Sequence, residues 1–466
     1  MRMLLSRVLA LLLLGCTVFA APSHAVDAAL SSSPEPPAET TPDTWEPLAG
    51  FLAAALAGNP DLVMARADYD ASKERIPQAR SLEDPFFSVG TMANSWFTGD
   101  GFQKTKFAAS QAFPWFGTLD ARERKEEKLA LESGDNYGAT KLSVVYEVKN
   151  AYYEYAYAER AFQVARENTA LLHFLEGVAQ SRYASGMGSY SDLLRIQVEL
   201  DLSRDMEKSA EDMIGPAKSR LNAVMNLPPE SPLPPPGPLP IFTMTLSEDD
   251  LVAGIAARNP RLAALKNREM AQAEQVELAR KAYYPNFMAE VSYQFADRSN
   301  PAMQPGDDEV MAGVGLTIPL WREKRNAGLA EAKQMELSAR AGREALLRSL
   351  QQQVKEACFG YRDAARKLGL YEDSLVPKAQ QSLSVTLTAF SNGAAGVADL
   401  VEAQRTLLSV NLIHCRALAD QASRFARLEL LYGEAIPCSF RRSSVSPFKP
   451  ETGAAKTKTR ESKENP

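Results

Sequence analysis

Asp399 and Glu402 are the residues whose type and spacing best suit a chemical role in this sequence. Three positions apart on a helix, they share one face. Two carboxylates so placed either attract cations at a constriction or serve the start of a helix as a cap. Asp192 stands in a matching stretch: residues 185–197 read SGMGSYSDLLRIQ and residues 392–404 read NGAAGVADLVEAQ. There Arg195, on the same face, offsets the charge, and Asp192 reads as a cap. No nucleophile or acid–base pair accompanies these carboxylates. His24, His173 and His414 are scattered, as are Cys16, Cys358, Cys415 and Cys438. None has the spacing of a closed metal site, so neither catalysis nor a cofactor is expected.

Both stretches are glycine-broken turns followed by an Asp and a helical apolar pattern, and long helix-like sequence flanks each. They are expected to be the tips of two long helical hairpins, with Gly186, Gly188, Gly393 and Gly396 permitting the tight turns. From Leu119 to about Tyr183 there is no proline, and apolar residues recur every three or four positions. A helix of that span is roughly 100 Å long, several times the globular norm. Its return arm runs from Asp192 to about Val224. The second arm runs from Arg322 to about Phe390, with Pro377 predicted to kink or split it near Leu375. The last arm runs from Asp399 to about Tyr432. The second-arm seam of Leu329, Ala332, Met335, Ala339, Gly342, Leu346, Leu350, Val354, Ala357 and Tyr361 contains small residues that permit close helix packing.

Each hairpin is preceded by the same sequence of signals. An amphipathic helix begins at Glu46 and breaks at Asn59-Pro60, where Asn59 suits an N-cap and Pro60 the first helical position. Asp84-Pro85 stops the next helix. Two alternating segments come next, residues 86–97 and 102–113, joined by a glycine-containing turn, as in a β-hairpin. About ten residues per strand is the length that crosses a bilayer. Phe113-Pro114-Trp115-Phe116 then forms an aromatic corner suited to a membrane interface. Asn259-Pro260 restates Asn59-Pro60 after 200 residues (259 − 59), and Tyr284-Pro285 restates Asp84-Pro85. Residues 286–295 and 310–320 alternate again, and Ile318-Pro319-Leu320-Trp321 repeats the corner. The chain is therefore a tandem duplication.

Strands from one chain are too few to close a barrel, and open edges do not survive in lipid. If the strands cross a membrane, several chains must pool them. A symmetric trimer is the natural closure, although four strands per chain do not fix the number three.

The N-terminus bounds the location. Arg2 and Arg7 precede an apolar run, Leu9 to Leu14, too short to span a bilayer. Leu13-Leu14-Gly15-Cys16 reads as a lipobox that would leave Cys16 lipidated, and Ser23-His24-Ala25 offers an ordinary cleavage site. Either exports the chain. The expected divisions are a signal segment 1–25, a Pro/Ser-rich leader 26–45, repeat 1 over 46–226, a Pro-rich linker 227–245, repeat 2 over 246–436 and a disordered basic tail 437–466. The 466 residues carry a mild net charge of −6, which argues against a nucleic-acid binder. Cys358 and Cys415 lie on opposite arms, roughly 20 Å apart along the hairpin axis, beyond disulfide reach.

The order helix, strand pair, proline corner, long helix, Gly–Asp tip and return helix, duplicated, resembles the TolC family of outer-membrane efflux ducts. The matching landmarks are Asn59-Pro60 and Asn259-Pro260, Pro114 and Pro319, and Asp192-Leu193-Leu194 with Asp399-Leu400-Val401, Gln197 and Gln404. They cover about Trp45 to Tyr432. The resemblance implies a mainly α fold with β: a trimeric α/β-barrel duct in which each chain supplies two tandem repeats of a long helical hairpin plus two membrane strands. It implies a homotrimer in the outer membrane lipid of a Gram-negative bacterium, extending into the periplasm. It also implies docking of the tips to a periplasmic adaptor and an inner-membrane transporter. Asp399 and Glu402 match acidic residues that line the family's periplasmic entrance, where three chains would place six carboxylates. The best-known member closes that entrance partly with a Tyr and an Arg on the second tip. Phe390 and Ala395 stand at those positions here and cannot make that link, so a different closure is expected. A duct for type I protein secretion and a soluble periplasmic coiled-coil scaffold are the alternatives.

Overall fold

A computed structural model describes residues 46–91, 97–98, 101–296 and 308–443. The chain divides into a unit Met1–Ala49 and a unit Gly50–Pro466, and the second holds all the described strands and both hairpins. Cys16, both cleavage sites, the leader and most of the tail lie outside the described residues.

Each repeat starts at a helix–Asn–Pro–helix joint. Helix α1 (Glu46–Gly58) ends there and α2 (Pro60–Arg80) begins. The Asn59 side-chain oxygen accepts from the Asp61 and Leu62 N–H groups at 2.9 and 3.4 Å, and its amide donates to the Val224 carbonyl at 2.8 Å. In repeat 2, α5 (Glu248–Arg258) gives way to α6 (Pro260–Lys281). Asn259 accepts from the Arg261 N–H at 3.0 Å and donates to the Leu431 carbonyl at 2.8 Å. Proline at the first helical position lacks only a donor that the helix would leave unused. The buried Asn supplies the cap and also ties the start of its repeat to the end of that repeat's return arm.

Strands β1 (Phe86–Thr91), β2 (Phe97–Thr98) and β3 (Gly101–Phe113) come from repeat 1, and β5 (Asn286–Ala296) and β6 (Glu309–Thr317) from repeat 2. They form one antiparallel sheet in the order β1-β3-β5-β6, with β2 off β3. The halves join at β3–β5, where Phe113 faces Phe287 and Phe107 faces Tyr293. Because side chains alternate, Phe87, Val89, Phe107, Val291, Phe295, Val310, Val314 and Leu316 share one face, and all are exposed. The other face carries Ser88, Ser110, Ser292 and Gln294, with a Lys106–Glu290 ion pair at 3.5 Å. Among the described residues both outer strands keep an open edge. At the corner Trp115 stacks on Tyr284 and Phe287, with ring centroids 4.9 and 5.7 Å apart.

Helix α3 (Thr118–Ala184) runs unbroken for 67 residues and returns as α4 (Tyr190–Val224). Pro216 lies inside α4 without ending it. The second arm is divided as predicted: α7 (Arg322–Leu370), a π-helical turn at Tyr371–Leu375, then α8 (Val376–Ser391), with Pro377 in its first turn. Helix α9 (Val397–Tyr432) returns. Of the expected α7 seam, Ala332, Leu350, Val354, Ala357 and Tyr361 are buried, whereas Met335 and Gly342 stay exposed within one chain. Cys358 and Cys415 are buried free thiols.

Two expected boundaries need correction. The linker over 227–245 does not end as a linker, nor does the tail over 437–466 begin disordered: Pro240–Met244 and Cys438–Arg442 pair as strands β4 and β7. Five-residue strands are too short for alternation to announce them, and Phe242 stacking on Phe425 at 5.1 Å anchors the pair. The prolines before β4 form a strap, not a free spacer. Asn222 donates to the Pro229 and Ser231 carbonyls at 3.0 Å, Tyr155 to the Pro234 carbonyl at 3.3 Å, and Tyr152 accepts from the Gly237 N–H at 3.1 Å. Proline has no N–H to satisfy, so accepting bonds suffice to seat it on a helix.

Candidate functional site

The two tips are built by one backbone motif. In the first, Gly186 has φ +72°, its N–H donates to the Tyr183 carbonyl at 3.0 Å, and the Met187 N–H donates to the Arg182 carbonyl at 2.9 Å. In the second, Gly393 has φ +78°, its N–H donates to the Phe390 carbonyl at 3.0 Å, and the Ala394 N–H to the Ala389 carbonyl at 2.8 Å. Each is a Schellman ending whose left-handed residue must be glycine or close to it. Gly188 and Gly396, also expected to supply tight turns, do something else. Gly188 makes a close approach, since a Cβ there would meet the Tyr183 nitrogen at 3.3 Å. Gly396 is an extended helix cap at φ −87°.

Both tip aspartates serve a helix start from one turn inside it. Asp192 is the third helical residue, not the cap: Ser189 caps α4, its hydroxyl accepting from the Asp192 N–H at 3.1 Å while Asp192 accepts from the Ser189 N–H at 3.4 Å. Asp399 likewise sits inside α9 and accepts from the Gly396 N–H at 3.0 Å. Its position corrects the expectation that Asp399 is the N-cap residue. The carboxylate still serves the helix start, where the dipole favours negative charge. Asp399 and Glu402 are both exposed on α9.

Phe390 is a core residue. It is buried at 3% exposure in a core shared by both hairpins with Leu175, Ile196, Leu383 and Leu400, and Ala395 packs against that core. The residue that sequence reasoning missed is Arg182. Its guanidinium lies over the Phe390 ring, 4.7 Å from the centroid, and donates to the Phe390 carbonyl and to the Met187 carbonyl at 3.1 Å. One side chain at the end of α3 thus ties the first tip to the second. Nothing in the sequence marks Arg182 apart from other helix-terminal arginines.

Above the tips the two hairpins are joined by buried polar groups. Asn168 donates to Ser203 at 2.8 Å and accepts from Gln404, and Thr169 bonds Ser203 at 3.0 Å. Arg405 forks onto Glu199, a buried carboxylate on α4. Gln404, only a landmark in the sequence, is 2% exposed and belongs to this network. Beside the first tip, a groove of about 490 Å³ is lined mainly by Phe174, Gly177, Val178 and Met187, with Ser391 of the second arm at its edge. Among the described residues no group of three or more His, Cys, Asp or Glu could hold a metal ion.

The family described as outer membrane efflux protein matches residues 51–227 and 251–434, both repeats. The chain belongs to the outer membrane efflux protein family. As a member of that family it is an outer-membrane channel protein reaching into the periplasm, not an enzyme. It is 26% identical over 419 residues to Protein CyaE of Bordetella pertussis, covering 86% of each chain. It is 22% identical over 392 residues to outer membrane protein TolC of Vibrio cholerae, covering 78% of this chain and 86% of that one. The crystal structure of the outer membrane protein VceC from Vibrio cholerae superposes with a TM-score of 0.70 at 18% identity, covering 83% of this chain and 96% of that one. No single helix among the described residues is long and apolar enough to cross a membrane.

Proposed function

We propose that this efflux channel is the passive outer-membrane duct of a tripartite assembly, a homotrimer whose tips meet a periplasmic adaptor fed by an inner-membrane transporter. The sheet carries the proposal. Four principal strands with two open edges among the described residues, one apolar face and one mixed face that carries the polar side chains beside Phe86, Met288 and Met311 suit a third of a barrel, and open edges in lipid need partners. Three copies give twelve strands, with the mixed face and its Lys106–Glu290 pair turned inward. Exposed Met335 and Gly342 on the α7 seam fit helix contacts with a second copy. A soluble scaffold would not present this face to water.

Asp399, Glu402 and, less directly, Asp192 set the ion preference of the periplasmic entrance. The glycine tips at Gly186, Gly188, Gly393 and Gly396, with the groove beside Phe174, receive the adaptor. Cys16, when lipidated, anchors the chain. A duct serving type I protein secretion has the same barrel and differs in its partner. Crosslinking in cells from a cysteine placed at Ser185 would distinguish a drug-pump adaptor from a secretion adaptor.

The test of the duct is reconstitution of detergent-extracted protein in planar bilayers, with the oligomer mass taken alongside. A trimer with small, cation-selective steps is expected. Asp399→Asn with Glu402→Gln, which keeps an acceptor for the Gly396 N–H, should reduce that cation preference. Unchanged selectivity would remove the acidic ring and leave only the helix-start role.

A further inference from the structure

The two hairpins are duplicates, yet only the second is jointed. Helix α3 runs straight into its tip, whereas the matching arm breaks at the π-turn Tyr371–Leu375 and restarts as α8, sixteen residues that lead directly to the second tip. Pro377 lacks the N–H needed to continue the α-helical ladder across that point. Orientation of the second tip therefore depends on what holds the joint as well as on the shared core that buries Leu383 and Phe390 of α8.

Part of what holds it is an ion pair between a buried carboxylate in the joint and a half-exposed arginine of the C-terminal strand. Glu372, in the π-turn, has a fully buried side chain. Its carboxylate accepts both arms of the Arg441 fork, at 3.2 and 3.0 Å. Arg441 lies on β7 opposite Ile241 of β4. Strand β4 is in turn fixed to both arms of the second hairpin. Tyr361 on α7 donates to the Phe242 carbonyl at 2.8 Å and accepts from the Met244 N–H at 3.1 Å. Gln421 on α9 exchanges bonds with the Phe242 backbone. The β4–β7 pair is thus a splint. One part of it is pinned to α7 and α9, and Arg441 grips the joint through a bidentate contact with Glu372.

We propose, on the basis of the duct function above, that Arg441 and Glu372 are positioning residues for the entrance. The C-terminal strand sets the tilt of α8 and so holds the second tip closed against Arg182 of the first. A buried carboxylate that loses a bidentate guanidinium is destabilised. Loss of the fork therefore loosens the joint itself, not merely a surface strand. A staple that only adds stability makes a different prediction, because it moves unfolding without moving conductance or exchange in α8.

The experiment uses the full-length trimer in planar bilayers, with amide hydrogen exchange over residues 376–391 measured in parallel. Arg441→Gln should raise the mean single-channel conductance or open fraction several-fold and speed exchange in α8, while exchange in α3 stays unchanged. Arg441→Lys, which keeps the charge but not the fork, should fall between. Should Arg441→Gln fail to assemble, the double variant Glu372→Gln with Arg441→Met has no buried charge and tests the same joint. Wild-type conductance and wild-type α8 exchange in an assembled variant would overturn the proposal. No conductance from the wild-type trimer itself would instead remove the duct function on which it stands, and the exchange measurement would still report on the joint.

Discussion

Replacing Val314 by arginine tests which face of the sheet meets lipid. Val314 is the sixth of nine residues in β6, pairs with Ala289 and is 81% exposed in the single chain. If that face is the outside of a barrel, a guanidinium there sits near the middle of the hydrocarbon. Such a substitution costs about 2–4 kcal/mol at the midplane, or roughly 30- to 900-fold in the folding equilibrium per chain. A trimer carries the change three times, so roughly 6–12 kcal/mol is at stake if the sites act alike. Gly313, its neighbour in the same strand, points the other way, opposite Glu290, with open space where a Cβ would go. Gly313→Arg is expected to be tolerated and to alter conductance. Heat-resistant trimer on gels and urea midpoints in lipid vesicles would read both variants. Equal loss for the two, or none for Val314→Arg, would refute the assignment of the faces.

Two other outcomes come from the joints and the core. Asn259→Ala removes a helix cap and a buried tie to the Leu431 carbonyl, and should lower stability by about 1–3 kcal/mol in denaturant titrations. Asn59→Ala should do nearly the same in the first repeat, and a loss confined to one of them would break the equivalence of the two joints. His414 is buried, with its Nε2 unpartnered among the described residues. Burial lowers its pKa, nearby Arg160 lowers it further and Glu372 opposes them. An unfolded histidine protonates near pH 6.5, so as the pH falls the unfolded state gains its proton first. The stability present above about pH 6.5 is then lost until the folded pKa is reached. Wild-type Tm should drop below that pH relative to His414→Leu, and parallel pH profiles would show that His414 is not the group responsible.

The repeat, the strand positions and the split near Leu375 are legible in the sequence because each rests on local chemistry. Asn-Pro fixes a cap, alternation fixes a strand, and proline removes a donor. The tips are legible as turns, but not the division of labour within them. Only the backbone dihedrals separate Gly186 and Gly393, which need positive φ, from Gly188 and Gly396, which do not. The cap positions slip by one turn because an Asp at the third helical position and an Asp at the cap give the same composition. Arg182, Glu372 and Arg441 are hidden for another reason. Their partners lie 208 and 69 residues away, and no periodicity in a single chain reports a contact at that distance. Phe390 reads in the sequence as the substitute for a polar gate residue, whereas its ring is core and its carbonyl makes the link.

Asn59 is bonded to the end of α4 and Asn259 to the end of α9, so the Asn–Pro joint of each repeat lies beside the end of its own return arm. A unit whose two ends meet can be copied in tandem without redesigning either end, since the exit of the first copy already stands beside its own entrance. Joining two such units takes only a short proline-rich bridge. The same geometry lets the two copies differ internally, as at the joint around Glu372, without disturbing either seam.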